Sequence, residues 1–146
     1  MLFTTAGTRL FIADPRVQSA GEWVEIAETE AFGLLGSEWE MAEIDFAHLG
    51  DGDKGGEIFQ AKRSIRRLPM QVVLGNDPAD PGVLLLWKAH YSVSDFRFRL
   101  LFPDGVTARY WLGVVTAMRE VFDTANSVMR LQADILPTIQ ITDSEA

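Results

Sequence analysis

The chain has no cysteine, which excludes disulfides, thiolate metal sites and a cysteine nucleophile together. It has two histidines, His48 and His90, so a zinc site would have to bring both together and recruit carboxylates. No apolar stretch approaches the ~20 residues of a membrane span. The clearest run, Val83 to Trp87, is far too short, so no membrane partner is expected. The opening Met-Leu-Phe-Thr-Thr lacks the basic start and long apolar core of a signal peptide. Basic residues are scarce beside acids, 13 against 21, for a net charge of −8. Such a chain is a poor generic binder of nucleic acid, because affinity for DNA comes largely from cations that release counterions.

What is present suits one globular domain spanning residues 1–146. Hydrophobic content of 47% and charged content of 23% are ordinary values. A chain of this length buries roughly 70% of its unfolded surface. From Phe96 onward the residues alternate with a period of two, which predicts strands with one apolar face. Phe96, Phe98, Leu100 and Phe102 share one face of the first of these strands, and Pro103-Asp104-Gly105 supplies its turn. A second strand is expected around Arg109 to Val115. A third, around Val128 to Leu136, sets Met129, Leu131, Ala133 and Ile135 against Arg130, Gln132 and Asp134. Thr116 to Ala125 reads either as a helix or as an extension of the strand before it.

Earlier in the chain, strands are expected at Thr8 to Ala13, Trp23 to Ala27, Trp39 to Leu49 and Ile65 to Leu74. The acids of the Trp39 segment make its alternation untidy. Pro69 points to an edge position or a strand start. The clear helix runs from about 81 to 91, with Asp80 as N-cap and Pro81 at the first helical position. Leu84, Trp87, Lys88 and Tyr91 fall on one face of it, so Leu84, Trp87 and Tyr91 are expected against a sheet.

Gly50 to Gly56 places four glycines in seven residues and opens a long loop of about residues 50–62. Its Gly-x-Gly-x-x-Gly pattern opens no helix, and Asp51 and Asp53 would repel a pyrophosphate. As a calcium loop it lacks an oxygen ligand at Gly55 and has Lys62 where a bidentate glutamate belongs. No cofactor or metal is expected, and no catalytic residues stand out, since nothing resembles a nucleophile elbow. Lys62, Arg63, Arg66 and Arg67 form a basic run that reads as a solvated face or as partners for acids on a neighbouring copy. The four tryptophans, Trp23, Trp39, Trp87 and Trp111, read as core or interface anchors.

Four segments in order carry a family resemblance: Trp23-Val24-Glu25-Ile26; Glu43-Ile44-Asp45-Phe46 running into the Gly50 loop; Phe96-Arg97-Phe98 leading to Phe102-Pro103-Asp104-Gly105; and Tyr110-Trp111-Leu112-Gly113-Val114-Val115-Thr116. From about Thr8 to Thr142 the chain resembles the major tail tube proteins of long-tailed phages, whose fold is shared by the tubes of contractile systems and type VI secretion. It departs from many relatives at Ala47-His48, where they carry a threonine. It also stops soon after Ile141, with a short flexible tail expected at 142–146 and no appended decoration domain.

The resemblance implies a mainly β (α+β) fold, a β-sandwich or half-barrel with one flanking helix. It implies a structural, non-enzymatic virion protein, made in the host cytoplasm and located in the tail. Six copies would form a ring, and rings would stack into a hollow tube through which DNA leaves without specific binding. The implied partners are further copies of the chain and the tail terminator, tape-measure and baseplate proteins. An acidic wall would let DNA slide, because phosphates facing carboxylates gain no counterion release. Glu38, Glu40, Asp45 and Asp134 are the lumen-lining candidates, drawn from one wet strand face. Asp51, Asp53, Lys54, Lys62, Arg63, Arg66 and Arg67 are the candidates for contact between rings. Arg97, Arg99 and Arg130, also on wet faces, are placed outside or in subunit interfaces. Competing readings are a tail terminator or baseplate ring, a cellular β-sandwich binding module with a pocket near Trp39 or Trp111, and an enzyme using His48 or His90 as base.

Overall fold

The structure is a computed structural model that describes residues 2–16, 22–45 and 58–144. The glycine-rich segment 50–56, with His48 and the candidates Asp51, Asp53 and Lys54, lies outside the described residues. The alternating segments form antiparallel strands: β1 (Arg9–Ala13), β2 (Val24–Ile26), β3 (Thr29–Ala31), β4 (Ser37–Asp45), β5 (Ile58–Arg67), β6 (Met70–Gly75), β7 (Phe96–Leu101), β8 (Ala108–Val121) and β9 (Arg130–Pro137). One helix, α1 (Pro81–His90), interrupts them. Among the described residues the protein is therefore mainly β with a single helix, as its alternation predicts.

Seven strands make one sheet in the order β2-β1-β7-β8-β9-β6-β3, and β4 and β5 make a separate two-stranded hairpin. The two ends of the seven-strand order, β2 and β3, are joined by only Ala27 and Glu28. Three Cα steps span at most about 11 Å, so the sheet must curl until its edges nearly meet. This is the half-barrel alternative. Glu28 makes the corner with φ of 57°, and its carbonyl accepts a hydrogen bond from Gly75 N at 3.0 Å. The two terminal strands of the main sheet, β2 and β3, are only three residues long each, so they offer little open edge to a neighbour.

The inside of the curl is the core. Leu10 and Ile12 of β1, Met70, Val72 and Leu74 of β6, Phe96 and Phe98 of β7, and Leu131, Ala133 and Ile135 of β9 are all essentially buried. Phe98 stacks on Trp111 with ring centroids 5.7 Å apart. Met129 and Phe102, expected on the same inward faces, lie just beyond the strand ends and stay partly exposed, because pairing stops at Arg130 and Leu101.

Several expectations need correction. Ile65 to Leu74 is two strands, not one. Pro69 has no N–H to give a ladder, and the chain leaves the hairpin at Arg67 and joins the main sheet at Met70. Leu68 N bonds to Gly36 O at 2.9 Å, clamping the base of the hairpin. Residues 58–62, expected in the long loop, belong to β5. Thr142, expected to start a loose tail, exchanges both backbone bonds with Tyr110. Thr116 to Val121 continues β8, with a register shift between Val115 and Ala117.

The helix starts where the sequence places it, with Asp80 Oδ2 accepting from Val83 N at 3.2 Å. The same oxygen reaches Ala27 N at 3.4 Å, so the cap also holds the corner between β2 and β3. The expected inward face is wrong. Val83, Leu86 and Ala89 face the core, whereas Leu84 is 56% and Tyr91 80% exposed. Leu84 and Tyr91 point outward, and of the expected stripe Trp87 alone packs half-buried against the core, because Gly82 fixes the packing side. A Cβ on Gly82 would sit 2.4 Å from Glu25 O, so only a bare backbone lets α1 lie this close to β2. Asp14, its side chain 7% exposed, accepts from Lys88 Nζ of α1 at 2.8 Å and from Arg16 N at 2.9 Å. Those bonds, the one from Lys88 foremost, hold its carboxyl well below the usual range.

Candidate functional site

The hairpin is the part of the structure that the barrel does not explain. Its strands pair only with each other, from Ser37 opposite Arg67 to Asp45 opposite Ile58. All its described side chains are exposed or half-buried. Such a hairpin is marginally stable in water by itself, so its sequence must satisfy another requirement.

The cross-strand pairs define two faces. On one, Trp39 lies opposite Ile65 and Met41 opposite Lys62. Trp39 and Ile65 border a cleft with Gln140 and Ile141, so this inner face turns toward the body at its base. On the outer face, Glu38 lies opposite Arg66, Glu40 opposite Ser64, Ala42 opposite Ala61 and Ile44 opposite Phe59. The apolar side thus changes halfway along, from the inner face near the base to the outer face near the tip. A bulge accompanies the change. Register shifts between Glu40 and Met41, leaving Arg63 without an opposite residue. The untidy alternation of β4 is this switch in parity: apolar residues at 39 and 41, then at 42 and 44.

Charges on the hairpin are largely satisfied within it. Arg66 Nε donates to Glu38 Oε1 at 2.7 Å, and Arg63 Nη1 lies 3.6 Å from Glu40 Oε1. Ser64 Oγ donates to Glu40 at 3.1 Å. Lys62 Nζ sits 5.0 Å from the centroid of the Trp39 ring. Arg67 stands at the base, beside Gln140 and Ile141. Two acids expected in a lumen and two arginines expected between rings are therefore partners of one another.

The lumen candidates do not share a strand face. Glu38, Glu40 and Asp45 belong to the hairpin, and Asp134 belongs to β9 of the main sheet. Asp134 Oδ2 accepts from Arg119 at 3.1 Å. The arginines expected in interfaces have partners in their own chain. Arg130 Nε donates to Glu30 at 2.8 Å, and Arg97 lies 3.8 Å from Glu22 and over the Trp23 ring. Arg99 covers Phe11 at 4.1 Å and Trp23 at 5.0 Å. Phe11 faces out of the barrel yet is buried under Arg99 and Arg9, whose stems and charges roof it.

Among the described residues no group of histidines and carboxylates is arranged to hold a metal ion. His90 Nδ1 lies 3.4 Å from Val115 O, with its ring 5.0 Å from that of Tyr91. Three concavities stand out among the described residues. One of about 260 Å³ lies beside Trp23, Tyr110 and Trp111, and the Trp111 indole N–H is buried with no hydrogen-bond partner among the described residues. One of about 440 Å³ is the cleft under Trp39. The third, about 480 Å³, opens at an end of the barrel between Phe32, Leu35, Leu100 and Phe102, beside the N-terminal Leu2 and Phe3.

No family model matches the sequence, and no curated protein does. Its fold does match solved structures over nearly the whole chain. A chain from the tail of an empty gene transfer agent particle superposes with TM-score 0.69 at 12% identity, covering 94% of this chain and 96% of that one. The tail tube of SPP1 gives TM-score 0.66 at 12% identity, covering 95% and 77%. A chain of the anti-feeding prophage baseplate gives 0.70 at 10% identity, covering 97% and 95%. The protein has the tail tube fold.

Proposed function

We propose that the protein is a structural, non-catalytic component of a virion tail, whose copies close into hexameric rings that stack into a hollow tube for DNA delivery. The observation that carries this reading is end-to-end agreement of the fold with chains from a gene transfer agent tail and the SPP1 tail tube. The projecting hairpin supports it. An exposed two-stranded sheet with apolar residues on both faces is costly for a monomer and useful to a polymer. Further copies of the chain are its principal partners, with terminator, tape-measure and baseplate proteins at the ends and within.

Ion pairing changes the account of the channel wall. Glu38, Glu40 and Asp134 are each neutralised by an arginine, so a lumen lined by them would present paired charges. Paired carboxylates still offer phosphate no free cation, and DNA would slide in hydration water. Asp51, Asp53 and Lys54 are proposed to contact an adjacent ring.

Negative-stain microscopy of the purified protein across concentration and salt tests the reading. Hollow tubes are the expected result. Rings that never stack would assign the protein to a terminator or baseplate, and monomers under all conditions would refute assembly. Deleting Asp51 to Gly56 should leave a folded subunit that forms no tubes.

A further inference from the structure

One concavity is walled by aromatic rings and a cation, and nothing in the tube reading uses it. The ladder pairs Arg97 with Leu112 and Arg99 with Tyr110, alternating with the buried Phe96, Phe98 and Trp111. Those four side chains therefore share the outer face of β7 and β8. Trp23, just before β2, reaches across to them. Its ring centroid lies 6.1 Å from that of Tyr110, with the guanidinium carbons of Arg97 and Arg99 at 5.5 Å and 5.0 Å. Ile139 and Thr142 close the far side. Their segment is pinned to β8, with Thr138 N donating to Leu112 O at 2.8 Å and Thr142 exchanging both backbone bonds with Tyr110. Separate stretches of the chain thus bound a cavity of about 260 Å³.

Its charge is unusual for so acidic a protein. The chain carries 21 acids against 13 basic residues, yet Arg97 lines the cavity and no carboxylate does. Glu22 approaches Arg97 only to 3.8 Å. Arg99, also over the Trp23 ring, has its Nε buried with no hydrogen-bond partner among the described residues. Aromatic and aliphatic walls select a flat apolar body, and the guanidinium selects an anionic end. The volume falls below the roughly 300–1,000 Å³ of drug-sized sites, so a single ring fits and a nucleotide does not. The other concavities suit such a ligand less well. The barrel-end cavity holds no charge to orient it, and the cleft under Trp39 offers that one ring alone.

We infer that this cavity is a binding site for a small aromatic carboxylate, its ring against Trp23 and Tyr110 and its carboxylate on Arg97. The site goes beyond the tube reading and does not depend on it, since every wall comes from one chain. Arg97 is 35% exposed, so its hold on the ligand weakens as salt rises. A single ring with one charge-assisted contact binds with a dissociation constant of about 0.1–1 mM.

Benzoate is the probe, titrated into the full-length chain while tryptophan fluorescence is read. Saturable quenching is expected, and it should disappear in Trp23→Phe. Arg97→Gln should weaken benzoate by about tenfold or more and leave uncharged benzyl alcohol unchanged. Ile139→Phe puts a ring at a wall position that is 42% exposed. It should fill the cavity, keep the parent melting temperature and abolish quenching. Acetate should have no effect. Quenching by acetate equal to that by benzoate would mean a bare anion on surface arginines and would overturn the inference. So would the absence of saturable quenching up to about 10 mM benzoate. Parent-like benzoate binding by Arg97→Gln or by Ile139→Phe would overturn it as well. Each result reads the same whether or not the chain forms tubes.

Discussion

Replacing Gly82 with alanine tests the packing that holds the barrel closed, and its sign is decisive. Glycine inside a helix is ordinarily worse than alanine by about 0.8–1.0 kcal/mol, so the replacement should stabilise wherever space allows. At Gly82 there is none. The new Cβ would lie 2.4 Å from Glu25 O and 2.7 Å from Ile26 Cα, where ordinary contact begins at 3.4 Å. Both neighbours are β2 backbone, so no side chain can swing aside. Helix α1 must retreat by about 1 Å, loosening Val83, Leu86 and Ala89 against the core and stretching the Asp80–Ala27 bond, already 3.4 Å. Overpacking of this kind costs about 1–3 kcal/mol, and with backbone on both sides the upper half of that range applies, so after a propensity gain of about 1 kcal/mol a net loss of about 1–2 kcal/mol remains. For a domain of this length that lowers the melting temperature by about 3–8 °C. Calorimetry of Gly82→Ala beside Gly36→Ala, whose Cβ would meet nothing within 4 Å, isolates the effect. A melting temperature for Gly82→Ala equal to or above the parent would refute the packing argument.

Asp14→Asn should destabilise by about 1–3 kcal/mol, because Lys88 and Arg16 lose a charged acceptor. The Asp14 pKa is depressed in the folded state, so its stabilisation is fully present above about pH 4 and fades as the pH falls toward the folded value. Denaturant titrations of parent and variant should therefore converge in strong acid, and a gap that stays constant there would contradict the assignment. Phe98→Ala removes a fully buried ring stacked on Trp111 and should cost about 3–5 kcal/mol, read as a shift in denaturant midpoint. Glu38→Ala breaks an exposed pair with Arg66 and should change stability by less than about 1 kcal/mol.

What the sequence determined by itself was local. Alternation located β7, β8 and β9, because a strand with one buried face writes its period directly into the chain. Asp80-Pro81 located the start of α1, because the cap and the missing N–H are properties of those two residues. The family likeness carried by Trp23–Ile26, Phe96–Gly105 and Tyr110–Thr116 anticipated the tail tube fold that the solved structures share.

The tertiary structure decided everything that depends on distant segments meeting. Val83 to Trp87 is apolar all the way round, so no periodicity could choose the buried face of α1; the approach of β2 at Gly82 chose it. Glu38 and Arg66, like Glu40 and Arg63, are more than twenty positions apart, and only the register of β4 on β5 makes them partners. The parity switch of the hairpin was written in residues 39 to 44, but it read as noise until the bulge at Arg63 gave it two faces. The curl of the sheet has no local signature at all. It follows from β2 and β3 pairing at opposite ends of one sheet while two residues tie them together.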